Sequence, residues 1–148
     1  MLSLSGATVT GNVQIAGGTF SIGPSTTIKG NFTASNLPAS STQSLICGAT
    51  VQGNVVFQNN GTAVQIGSAT PASCAGNTFG SDLQVQNNTA ATTIIGNTVK
   101  GNLQDQNNTG ATQVSNNAVT NDLQCGGNTT ITGSGNTAAQ KQGQCASF

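Results

Sequence analysis

Only three carboxylates are available for acid–base chemistry in this sequence, Asp82, Asp105 and Asp122, and no His, Arg, Glu or Tyr accompanies them. Two carboxylates can hydrolyse a glycosidic bond when they are held about 5 to 9.5 Å apart, one acting as acid and the other as base or nucleophile. Asp82 and Asp122 occupy equivalent positions in a 20-residue repeat, with Asn102 at the same position between them. Stacked strands about 4.8 Å apart would separate the two by about 10 Å, just beyond that range. Hydrogen bonding at a chain corner is therefore the better account of both. Asp105 follows Leu103 by two residues and shares its repeat position with Val85 and Cys125, which points it inward. A buried, unpaired carboxylate costs several kcal/mol. The expectation is that the strand ends there and Asp105 leans into the corner, the alternative being a cap on an internal polar site. Hydroxyl nucleophiles are plentiful but have no base beside them. The chain is expected not to be an enzyme and to use no cofactor.

Four cysteines supply the remaining reactive chemistry. Cys125 and Cys145 lie one 20-residue period apart and so should occupy one column in adjacent coils, close enough to bond. Cys47 and Cys74 precede equivalent corners in successive coils and form the second expected pair. With no His and no closely spaced Cys pair, a metal site is not expected. Two disulfides point to an oxidising compartment, and hence to a secreted or cell-surface protein. Met1 to Ser5 lack the basic start and apolar core of a signal peptide, so for an exported protein the expectation is that the numbering is that of a mature or trimmed chain.

The element that must position these residues is a repeat. Asn97 to Asn117 reads NTVKGNLQDQNNTGATQVSNN, and the same pattern recurs from Asn77 and from Asn117. Self-similarity at a fixed period of this length marks a solenoid. Apolar residues come in short runs between Asn and Gly, without helical spacing. Three corners per coil are legible, at Asn97, at Gly101-Asn102 and at Asn107-Asn108, where Asn and Gly tolerate the left-handed backbone of a sharp bend. The fold class is thus all-β, a right-handed three-sided parallel β-helix of about seven coils and about 20 residues per coil. One domain spans 1–148, with loop insertions near 35–46 and 68–76. The corner column reads Asn12, Asn31, Asn54, Asp82, Asn102 and Asp122, and its side chains are expected to bond from coil to coil. The expected interior comprises Val9, Val13, Ile28, Phe32, Val51, Val55, Phe79, Leu83, Val99, Leu103, Val119 and Leu123. Gly143 is read as replacing an interior Leu in the terminal coil.

Six charged residues in 148, against about a quarter in an ordinary soluble domain, leave a polar surface with no net charge. Three separated lysines build no basic patch, which argues against nucleic acid or anionic membrane as partners. No apolar run is long enough for a membrane span. Neutral surfaces of this kind associate readily.

The segments GNVQI, GNVVF, SDLQVQNNT, GNLQDQNNT and the ending NDLQCGGNT…GSGNT…KQGQC resemble a group of secreted bacterial β-solenoid proteins built of GNV- and GNLQ-type repeats that close with a cysteine pair. That resemblance implies a secreted β-solenoid and brings no catalytic residue with it. The chain departs from the group's pattern in lacking acidic and basic residues on its outer strand positions. Bactofilin-like β-helices are similar at greater distance, but the cysteine pairs speak against a cytoplasmic protein.

The functional expectation is an extracellular structural protein that self-associates end to end, with itself as partner and a surface filament or fibre as product. It rests on strand edges that no amphipathic segment covers at either end. The alternative is a monomeric surface-binding module for a cell-surface glycan or ice, using a polar Thr/Asn face that includes Thr92-Thr93, Thr112 and Thr129-Thr130. The N-x-[ST] sequons at Asn31, Asn60, Asn87, Asn107 and Asn128 are read as products of composition.

Overall fold

Alternation of inward apolar and outward polar residues over two to five positions, broken by Asn and Gly, leaves each segment able to form only a short strand. The computed structural model, which describes residues 1–68 and 74–148, contains twenty such strands. They stack in parallel as sheets of seven, six and seven strands, called A, B and C here in the order the chain visits them. The coil Thr92–Ile95, Thr98–Val99, Leu103–Gln106 is representative. Seven coils result, and the three-sided parallel β-helix is as expected.

Register turns each inward position into a column. Sheet C stacks Val13, Phe32, Val55, Leu83, Leu103 and Leu123, and sheet B stacks Val9, Ile28, Val51, Phe79, Val99 and Val119. Ten of these twelve are buried, whereas Val9 and Val13 in the first coil are only partly covered. Sheet A contributes an apolar column absent from the expected list: Leu4, Ile22, Ile46, Ile66, Ile94 and Val114. Phe20, Phe32 and Phe57 pack ring against ring near the N-terminal end, with centroids 5.5 to 6.2 Å apart.

The corners are hydrogen-bonded in three ladders. At the A–B corner the backbone N–H of Asn77, Asn97 and Asn117 donates to Oδ1 of Asn97, Asn117 and Asn136 in the next coil, each at 3.0 Å. At the C–A corner the same role passes through Asn60, Asn88, Asn108 and Asn128 to Gln144. These amides are buried, and their Nδ2 groups donate to strand carbonyls such as Ile66 O and Phe57 O. Asn87 and Asn107, just before the second ladder's residues, adopt positive φ (56° and 55°), the backbone that lets the chain turn there.

Both disulfides join the expected partners. Cys47 pairs with Cys74 at a Cα separation of 4.8 Å, and Cys125 with Cys145 at 5.2 Å. The register at the second differs from expectation: Cys125 pairs in the sheet with Gly143 and Leu123 with Lys141. Lys141, not Gly143, takes the interior Leu position, and Cys145 reaches its partner from a turn two residues farther on. Of the insertion near 68–76, residues 69–73 lie outside the described residues.

Candidate functional site

Among the described residues no concave pocket opens, so the features that could act are the corner carboxylates, the buried carboxylate, the solenoid ends and the flat outer faces. Asp82 and Asp122 stand on alternate rungs of the third ladder, at the B–C corner. There the backbone N–H of Asn31, Asn54, Asp82, Asn102 and Asp122 donates to the side-chain oxygen of Asn12, Asn31, Asn54, Asp82 and Asn102 in the coil before. The direction is opposite to that of the two buried ladders. Asp82 Oδ1 accepts from Asn102 N at 2.7 Å and from its Nδ2 at 3.3 Å. Asp122 Oδ2 accepts from Gln142 Nε2 at 3.5 Å. Asp82 thus accepts a backbone N–H as an Asn does at the same place, and Asp122 accepts a side-chain amide instead.

Asp105 departs from the favoured expectation. The strand Leu103–Gln106 continues through it, with Val85 on one side and Cys125 on the other, and the side chain points into the core with 0% exposure. Its oxygens are matched by amides from the C–A ladder: Asn108 Nδ2 donates to Oδ1 and Asn128 Nδ2 to Oδ2, each at 2.9 Å. Burial pushes the carboxyl up to about 7, while the Asn128 hydrogen bond pulls it down. The alternative expectation, an internal polar site, describes the geometry: one carboxylate ties two rungs of a buried amide ladder together. Among the described residues no group of three or more His, Cys, Asp or Glu gathers to hold a metal ion.

The two ends differ. In the first coil Leu2, Leu4, Val9 and Val13 head the interior columns and stay partly exposed, and their strands pair on one side only. At the last coil one interior column is closed by a side chain, which was not expected, while the strand Gln140–Gly143 stays exposed. The Phe148 ring lies against Gly133, where any side chain would collide with it, and Gly133 is the last member of the column headed by Leu4. Lys141 Nζ donates to the carbonyls of Asn136 and Phe148. Residues 144–148 turn back because Gly133 leaves room for the Phe148 ring, Gly143 adopts the positive φ (66°) that starts the turn, and the Cys125–Cys145 bond holds it.

Of the Thr residues read as an outer array, Thr92 and Thr112 are buried and face inward on sheet A. The Thr column that does face outward lies on sheet B, through Thr8, Thr27, Thr50, Thr78 and Thr98, flanked by Lys29 and Lys100. Sheet C instead presents glutamines, with Gln84, Gln104, Gln124 and Gln142 in one outward column and Gln58, Gln86 and Gln106 in the next. The repeated L-Q-x-Q signature carried that face in plain sight. Among the described residues no helix is long and apolar enough to cross a membrane. No protein-family model, curated protein or solved structure matches the chain.

Proposed function

We propose that the protein is an extracellular structural protein that self-associates end to end, the subunit of a surface fibre. The observation that carries this reading is the first coil, where three parallel strand edges and four part-exposed apolar side chains lie at one face. An unpaired edge with no charge, proline or bulge on it templates further pairing. The first charged side chain in the sequence is Lys29. Because the two ends are unlike, the contact between copies is heterologous and does not close on itself, so it propagates.

Phe148 supports an in-register joint, since its ring ends the column that Leu4 heads and would meet Leu4 of the next copy. Lys141 opposes it, because stacking would bury a charge beneath Val13 of that copy, and it limits the strength of each joint. The two disulfides fit a chain that matures in an oxidising compartment. The reading assigns no catalysis, Asp82 being used as a backbone acceptor and Asp122 as an acceptor for the Gln142 amide. A module using a Thr/Asn face for ice or glycan has less support, with Thr92 and Thr112 turned inward and the asparagines of the A–B and C–A ladders buried.

Negative-stain electron microscopy of the purified chain tests the proposal. Fibres with an axial repeat of about 34 Å, seven coils at about 4.8 Å each, are the expected result. Dispersed particles of single-solenoid size at every concentration would remove it.

A further inference from the structure

We infer that the outer face of sheet C is a second self-association surface, through which two solenoids pair side by side. The inference goes beyond end-to-end stacking and stands without it. It rests on a comparison of the three outer faces. Sheet B carries Lys29 and Lys100, and sheet A mixes Ser, Leu, Gln and Thr along its outward column. Sheet C carries six glutamines, Gln58, Gln84, Gln86, Gln104, Gln106 and Gln124, in two adjacent columns over four consecutive coils, continued by Thr33, Ser35 and Val56 on one side and Gly126 on the other, with no ionisable group in either column and Asp82 and Asp122 at the border.

The amides already bond along the ladder, Gln86 Nε2 to Gln58 Oε1 at 3.2 Å and Gln104 Nε2 to Gln124 Oε1 at 3.3 Å. A primary amide is donor and acceptor at once, so such a face is complementary to a second copy of itself. Stacked strands bearing identical amides mate as dry, interdigitated sheet pairs by this chemistry. With no net charge on the chain, nothing long-ranged opposes the approach of two copies.

Size sets the strength. Strands of about four residues, stacked across the four glutamine-bearing coils, present roughly 250 Å² per copy, or about 500 Å² in a pair. That falls short of the roughly 1,200 Å² at which stable interfaces begin, so an isolated pair is transient. In a fibre the same face repeats along the axis, and avidity turns a transient contact into bundling.

Crosslinking across the face tests this directly. Gln104 lies mid-solenoid, far from both ends, so contact at position 104 reports side-by-side pairing alone. The oxidised Gln104→Cys variant, treated with a short bis-maleimide, should give covalent dimers, while Gln113→Cys, outward on sheet A, should not. Adding Gln84→Lys and Gln124→Lys to the Gln104→Cys chain should cut the dimer yield by about tenfold or more through like charges facing each other. Leu4→Lys, which opposes end stacking and so removes the avidity, should lower the yield at position 104 yet keep it above that at position 113. Equal yields at positions 104 and 113, no dimer at 104, or a yield unmoved by the lysines would overturn the inference. So would co-sedimentation with cellulose particles that the two lysines abolish when no crosslink forms, because the face would then belong to a glycan.

Discussion

Leu4 and Phe148 stand at opposite ends of one interior column, which runs from Leu4 through Ile22, Ile46, Ile66, Ile94 and Val114 to Gly133, where the Phe148 ring closes it. Leu4 is part-exposed at the head of this column, and Gly133 at its foot is packed by the ring. In the neighbouring sheet C column Lys141 follows Leu123. Lys141→Leu would continue the run of leucines and remove the charge, so longer fibres at lower protein concentration are expected by electron microscopy. Shorter fibres from that variant would mean that the last coil is not part of the joint.

The buried carboxylate gives the chain an unusual pH dependence. Asp105 holds its proton up to about 7 in the fold against an ordinary 3.8. The folded state therefore binds more protons than the unfolded state between those values. Stability from this group is full below about 3.8, is lost as pH rises towards 7, and is constant above; the change is on the order of 4 kcal/mol. Denaturant midpoints measured from pH 3.5 to 8 should fall with rising pH. Asp105→Val, which repeats the Val85 below it, should flatten the profile and raise the midpoint at pH 8. Asn108 and Asn128 keep other acceptors in Val85 O, Asn128 Oδ1 and Asp105 O, so the substitution strands neither amide.

The buried and exposed ladders differ in what a truncation leaves behind. Asn97→Ala strips the acceptor from Asn77 N and the donor from Ile66 O inside the solenoid, and a loss of about 2 to 4 kcal/mol is expected in equilibrium unfolding. Asn102→Ala, at the part-buried B–C corner, leaves Asp122 N within reach of water and should cost about 1 kcal/mol or less. Similar costs for the two would contradict the assignment of the buried ladders as the main polar scaffold.

The Cys125–Cys145 bond closes a loop with a sequence separation of 20 and holds the turn that follows Gly143. Replacing both residues with Ser should lower stability by about 3 kcal/mol. Hydrogen exchange should show the loss of protection concentrated in Ile131–Ser134 and Gln140–Gly143, with the strand Leu83–Gln86 unchanged. Uniform loss along the chain would mean that the coils do not open from that end.

The coil, its three corners and both disulfides were legible because a solenoid writes its geometry as a period: Leu83, Leu103 and Leu123 share a column since they share a repeat position. Where the repeat degenerates, the reading slipped. Lys141 took the place expected of Gly143 because the last coil is two residues short of the period, as the pairing of Asp122 with Gln140 shows. Asp105 was placed at a corner because burial of a lone carboxylate is costly, but its partners, Asn108 and Asn128, come from one corner in two coils, and only the register brings them together. Inward Thr92 and Thr112 looked like a surface array because a polar β-branched residue fits either side of a strand. The closure of the column headed by Leu4 carried no sequence signal, since a lone Phe148 gains meaning only from its position over Gly133.

Sedimentation velocity over a wide concentration range, run on the native chain and on Leu4→Lys, tests end-to-end self-association most directly. The account predicts that the native chain forms species that grow with concentration. Leu4→Lys, with an unchanged β-type circular dichroism spectrum, should sediment chiefly as the 14.6 kDa monomer. A native chain that remains monomeric throughout, or a Leu4→Lys variant that assembles as well as the native chain, would contradict it.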